Sequence, residues 1–186
     1  VVRRLEELGL VFVSPKEIID PLTIIVYTSA VENTDDFIRL KNQGLKMIKR
    51  SEMLSLIQKQ YRYNFSVSGC HGKTTSTAML AHVLNSAGKH PTAFIGGEDK
   101  DFSNFLLGKG SLCIAEACEF KANFLDMISD QVIILNVDDD HLDSYGSIEN
   151  LKQAFSQFAK DRTAIINADD KNLNDVRGKK TITFGI

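Results

Sequence analysis

The stretch SVSGCHGKTTSTAML, residues 66–80, constrains the fold more than any other part of the chain. A strand-like run over 64–69 ends in a glycine turn and passes directly into a helical pattern over 73–87 that opens Lys-Thr-Thr. The strict phosphate-loop spacing G-x-x-x-x-G-K-[ST] is not met, because Val67 stands at its first glycine; the match is to the shorter G-x-x-G-K-T-T. The physical ingredients are nevertheless complete. A strand, a tight turn at Gly69 and Gly72, and a helix aim unpaired N–H groups and the positive end of the helix dipole at one point, where phosphate is the natural guest. On this reading Lys73 reaches the β- and γ-phosphates, the Thr74 hydroxyl is a ligand for Mg2+, and Thr75 adds a phosphate contact. The competing reading is a plain strand-to-helix turn with a solvated lysine.

Around this loop, apolar runs alternate with helical stretches. Strands are predicted over 10–14, 22–30, 64–69, 92–96, 111–117, 131–137, 163–168 and the last seven residues, and helices over 34–43, 51–60, 73–87, 120–128 and 147–160. Several strand runs are continuous rather than alternating, as in strands covered on both faces. The predicted class is therefore α/β with mostly parallel sheets. The polar QKQYRYN, 58–64, marks the best boundary and divides the chain into 1–60 and 61–186. VVRRLEELGL opens in helical spacing without a cap, and KKTITFGI closes on a strand pattern, so both ends are expected to be cut from a longer protein.

Composition narrows the partners. A formal net charge of −2 leaves no general basic footprint for nucleic acid. No apolar run reaches the roughly 18 residues of a membrane span and no signal-peptide pattern opens the chain, which predicts a cytoplasmic protein. Cys70, Cys113 and Cys118 lack zinc spacing and read as free thiols. Nothing in the sequence sets an oligomeric state.

Two polar clusters follow predicted strands, where open α/β sheets bind ligands. Glu116 ends the strand in IAEACEF; Asn136, Asp138, Asp139, Asp140, His141 and Asp143 follow another in LNVDDDHLD. Carboxylate oxygens suit a hard cation, and imidazole can join them or position a water. Taken alone, an acidic loop is more often a solvated turn or a helix cap. After a phosphate loop, these clusters become candidate metal and nucleotide ligands.

The ordered motifs SGCHGKTT, FIGGEDKDFSN, EACEF, ILNVDDDHLDSYGSIENLKQAF and INADD resemble the Mur ligases of peptidoglycan synthesis, and the resemblance covers nearly the whole chain. With His71 before Gly72, the loop is most similar to that of members acting on UDP-N-acetylmuramate and L-alanine. The resemblance implies part of a Rossmann-like, UDP-binding N-terminal domain followed by part of a P-loop ATP-binding central domain. It implies ATP and Mg2+ as cofactors, and ligation through an acyl phosphate. Gly69, Cys70, His71, Gly72, Lys73, Thr74 and Thr75 would hold the triphosphate, with Asn136 at the nucleotide. Thr74, Glu116 and His141 would serve Mg2+, and Lys73, Glu116 and His141 catalysis. His71 and Asn104 would lie near the sugar nucleotide.

Two departures stand out from the resemblance. Cys70 replaces a hydroxyl residue, and Cys118 stands where a carboxylate is usual. The rivals are a sibling ligase that attaches a recycled murein peptide to the same sugar nucleotide, and a nucleotide-binding module without catalysis.

Overall fold

The computed structural model describes residues 11, 14–17, 20–139 and 142–186. The helix predicted at the start of the chain lies outside these residues, as do most of the strand predicted over 10–14, Asp140 and His141. The chain forms two compact units, Val1–Met53 and Leu54–Ile186.

In the first unit, β1 (Ile24–Tyr27) and β2 (Lys46–Lys49) pair in parallel, from Ile24 opposite Lys46 to Tyr27 opposite Lys49. Parallel neighbours need a crossover, and the helix Asp35–Asn42 supplies it. Thr34 caps that helix by accepting the Phe37 N–H, with Asp35 and Asp36 in the first turn and Arg39 and Lys41 in the last. Tyr27 meets Phe37 edge-on, with ring centroids 4.8 Å apart. β1 is shorter than the predicted 22–30 because Thr28 accepts the Ala30 N–H and turns the chain into the 3-10 segment Ser29–Val31. No strand is predicted where β2 forms, because its apolar pair, Met47 and Ile48, is flanked by lysines.

The second unit is built on seven strands in the order β5–β4–β6–β3–β7–β8–β9. They are β3 (Tyr63–Ser68), β4 (Thr92–Asp99), β5 (Ser103–Leu106), β6 (Leu112–Glu116), β7 (Gln131–Ile134), β8 (Thr163–Asn167) and β9 (Lys180–Phe184). All neighbours are parallel except β5, which turns back antiparallel on β4 with an irregular register between Phe94 and Asp99. β5 was not among the predicted strands.

Neighbouring residues of a strand point to opposite faces, and β6 divides the core in this way. Ile114 joins Ala93, Ile95 and Ala81 of the helix Lys73–Ser86. Ala115 joins the larger cluster, in which Leu151, Phe155 and Phe158 of the helix Ile148–Ala159 meet Val132, Ile134, Ala164 and Ile166. Ser147 caps that second helix through the Asn150 N–H. The sheet is thus covered on both faces, which is why its strands read as continuous apolar runs.

The helix predicted over 120–128 is corrected. Phe120–Asp126 is a 3-10 segment broken by left-handed Lys121 (φ 50°) and Ala122 (φ 55°). A distant hydroxyl joins the local turn there: the Ala122 N–H donates to the Glu119 carbonyl at 2.8 Å and to the Tyr145 hydroxyl at 3.1 Å, and Tyr145 itself donates to the Glu119 carbonyl.

β3 lies between β6 and β7. The chain leaves β3 toward β4 on one side, and later passes from β6 to β7 on the other. The carboxyl end of β3 is therefore a topological switch point, where open α/β sheets form their binding crevice.

Candidate functional site

The loop Gly69–Gly72 leaves the end of β3, and Gly72, with φ 79°, is the residue from which the helix Lys73–Ser86 starts. Gly69 has φ 141°, and a Cβ there would lie 3.1 Å from both the Asn136 nitrogen and Leu135 Cβ, so only glycine fits without displacing the neighbouring strand end. That strand end fastens the loop. Cys70 N–H donates to the Asn136 carbonyl at 3.1 Å. His71 N–H donates to Asn136 Oδ1 at 2.8 Å, and Asn136 Nδ2 donates back to the His71 carbonyl at 3.1 Å. Asn136, predicted as a nucleotide ligand, thus has a structural task in setting the loop's shape. The buried Cys70 thiol accepts the Asp138 N–H at 3.2 Å, which accounts for tolerance of sulfur where a hydroxyl was expected.

His71 and Asp138 meet at the exposed rim, Nε2 to Oδ2 3.3 Å. The Asp138 carboxyl is held below the usual carboxylate range, first by the Asp139 N–H and then by the His71 ring.

Lys73 does not extend into solvent. Its ammonium donates to the Gly69 carbonyl at 2.7 Å, the Cys70 carbonyl at 3.0 Å and Glu119 Oε1 at 3.0 Å. Its side chain is 13% exposed and that of Glu119 0%. Glu119 was absent from the predicted site although it lies within the quoted EACEF. Its signal was a second carboxylate three residues after Glu116, and no local pattern reveals that it pairs with a lysine 46 positions earlier.

Glu116 ends β6 opposite Val67 and reaches the β4 backbone, where Gly96 N–H donates to its Oε2 at 2.8 Å. A Cβ on Gly96 would fall 2.2 Å from that oxygen, and one on Gly97 would fall 3.0 Å from the Thr74 methyl. The Gly96–Gly97 pair therefore brings backbone close to both candidate metal-binding side chains. Beside it opens a cavity of about 280 Å³, bordered by Thr74, Thr75, His82, Glu98, Asp99 and Lys100.

At the far wall of this cavity His82 Nε2 lies 3.1 Å from Asp99 Oδ1 and its ring stacks on Phe102, centroids 4.2 Å apart. These contacts fasten the β4–β5 hairpin to the loop helix. The Asp99 carboxyl is held low, first by the Phe102 N–H, then by those of Asp101 and the His82 ring.

Gly69, Cys70, His71, Gly72, Lys73 and Asn136 are thus gathered in one hydrogen-bonded loop. Thr74 and Thr75 open the following helix, and Glu116 reaches Gly96 in β4. Asn104 lies exposed on edge strand β5. His141 lies outside the described residues. Hydroxyl, carboxylate and backbone N–H groups are hard-oxygen and anion-binding chemistry, suited to a phosphate and a small divalent cation. Among the described residues, no helix is long and apolar enough to cross a membrane.

This site falls within residues matched by a family profile, the Mur ligase middle domain, at 67–186. A UDP-N-acetylmuramate–L-alanine ligase from Clostridium botulinum (strain Langeland) is 38% identical over 180 residues, 92% of this chain and 39% of the relative. The solved UDP-N-acetylmuramate-alanine ligase of Thermotoga maritima superimposes with a TM-score of 0.83 at 28% identity, covering 99% of this chain and 44% of that one. The ligase from Neisseria meningitides named for UDP-N-acetylmuramate and L-alanyl-gamma-D-glutamyl-meso-diaminopimelate shares the fold, with a TM-score of 0.72 at 20% identity over 98% of this chain and 60% of that one. The chain spans about two fifths of the length of the curated relatives it matches. The profile covers well over half of the sequence, and the chain belongs to the Mur ligase family.

Proposed function

We propose that this chain contributes the ATP site of a cytoplasmic ligase that joins L-alanine to UDP-N-acetylmuramate through an acyl phosphate. The observation that carries the reading is the Gly69–Gly72 turn at the switch point of the sheet, with Lys73 and the start of a helix converging on it. The substrate assignment rests on the 38% identity to a relative bearing that activity's name. The boundary between a sugar-nucleotide domain and the ATP domain is proposed at residues 60 and 61, in the polar stretch 58–64 that leads into β3 and a few residues after the division between the compact units.

In this mechanism the N–H groups of residues 72–75, at the helix start, and the Lys73 ammonium bind and orient the triphosphate. The N–H groups of Cys70 and His71 stay on Asn136 and hold the loop's shape. Thr74 and Glu116, with His141, hold Mg2+; Gly96 fixes the Glu116 carboxylate through its N–H. When bound, ATP supplies the phosphoryl group that activates a carboxylate, and Mg2+ neutralises the charge that builds during transfer. His71 and Asn104 contribute to the sugar-nucleotide side. Positioning provides most of the rate, since a displacement of about 1 Å costs roughly a hundredfold.

The test supplies ATP, Mg2+, UDP-N-acetylmuramate and either L-alanine or a murein tripeptide to the protein encoded by the complete gene. Phosphate release and the new amide are followed by mass spectrometry. Alanine-dependent turnover that Lys73→Ala abolishes supports the reading. Tripeptide-dependent turnover would assign the sibling activity, and ATP binding without turnover would leave a nucleotide-binding module.

A further inference from the structure

We propose that Glu119 is a positioning residue that holds Lys73 folded into its own loop, so that phosphate binds by displacing the lysine from this carboxylate. The proposal rests on the nucleotide reading above.

An ammonium group has three N–H donors, and the bonds to the Gly69 carbonyl, the Cys70 carbonyl and Glu119 Oε1 occupy all three. A guest phosphate can therefore be reached by Lys73 only when one of these is given up or shared. The two carbonyls belong to the loop and move with it. Glu119 differs because it carries a full charge and its backbone is tied elsewhere: its carbonyl accepts from Tyr145, whose oxygen also accepts the Ala122 N–H. Lys121 and Ala122, with φ of 50° and 55°, lock the turn that follows it. Left-handed backbone at such residues persists where the surroundings over-determine it.

The pair is almost sealed from water, at 13% and 0% exposure, so its attraction is weakly screened. The carboxylate also faces the incoming phosphate with charge of the same sign. Glu119 thus keeps the loop lysine ordered before binding and limits how tightly anions are held afterwards, a property suited to a site that must release its nucleotide product.

Glu119→Gln retains the size and an acceptor oxygen while removing the charge, and Glu119→Asp retains the charge. The experiment measures acylation of Lys73 by an amine-directed reagent, read by peptide mass spectrometry, with and without Mg-ATP, beside calorimetric ATP titration. Lys73 in Glu119→Gln should be acylated about tenfold faster and bind ATP about tenfold more tightly, the size of one charge-assisted hydrogen bond. Glu119→Asp should remain nearer to wild type in both. Equal acylation in wild type and Glu119→Gln overturns the proposal, as does equal acceleration in both variants, which would make Glu119 a packing residue. Weaker ATP binding by Glu119→Gln, with its fold intact by circular dichroism, also overturns it. Absence of ATP binding in wild type overturns the nucleotide reading, which the acylation rates do not depend on, and with it the displacement by phosphate.

Discussion

Gly96→Ala tests whether Glu116 is placed to serve a metal. The added Cβ would lie 2.2 to 2.3 Å from the Glu116 carboxylate atoms, so the carboxylate must retreat by about 1.2 Å to reach ordinary contact distance. Its hydrogen bond from Gly96 N–H, now 2.8 Å, is lost or lengthened. The obstructed group is the end of a flexible, half-buried side chain, so the cost to folding is about 1.5–3 kcal/mol, the range of one hydrogen bond to a charged group. The functional cost is larger, because a misplacement of about 1 Å in a positioned ligand is worth roughly a hundredfold. A fluorescent ATP analogue titrated with saturating Mg2+, and again with chelator, separates the two effects. The Mg2+-dependent gain in affinity should fall at least about tenfold, while metal-free binding, which depends on the loop N–H groups and Lys73, stays near wild type. An unchanged Mg2+-dependent gain would refute the placement of Glu116 at the metal, and equal loss of metal-free binding would show that the alanine had disturbed the loop itself.

Lys73→Met removes the ammonium from a carboxylate that is fully buried, and should destabilise the second unit by about 3–5 kcal/mol in urea unfolding, much of it recovered in Lys73→Met/Glu119→Met. Strictly additive losses would deny the coupling. Phe155→Ala, in the centre of the larger core, should cost about 3–5 kcal/mol without changing the ratio of ATP to ADP affinity. Burial pushes the Tyr145 hydroxyl up to about 12, a raised pKa in the folded state. Its contribution is complete below the unfolded value of about 10 and is lost as pH rises through the folded one. Alkaline urea titrations should therefore show a shallower decline in Tyr145→Phe than in wild type, with Cys113, also pushed up to about 12 by burial, accounting for part of what remains. An identical decline in both would contradict the Tyr145 assignment.

What could be read in the sequence was local. The phosphate loop was legible because strand, glycines and helix start lie within one run of fifteen residues, 66–80, and the central strands because burial on both faces leaves them continuously apolar. Edge strand β5 was missed for the complementary reason: SNFL has one partner strand and an exposed Asn104, so no apolar run is required. The turn after Glu119 was read as helix because its apolar spacing fits one, and the competing Tyr145 hydroxyl lies 26 residues beyond Glu119. Lys73 illustrates the same boundary. Its residue type announced a phosphate ligand, but its carboxylate partner comes from another strand end and could be found only once β3 and β6 were side by side.

Residues 69–75 are proposed to hold a triphosphate, with Thr74 and Glu116 facing its metal. The most direct measurement is a crystal structure with a non-hydrolysable ATP analogue and Mn2+ in place of Mg2+, located by anomalous scattering. Phosphate oxygens should lie on the N–H groups at the helix start, Lys73 should turn from Glu119 toward them, and an anomalous peak should fall within coordination distance of the Thr74 hydroxyl and the Glu116 carboxylate. A nucleotide bound elsewhere, or on the loop with the metal away from both side chains, would contradict this placement.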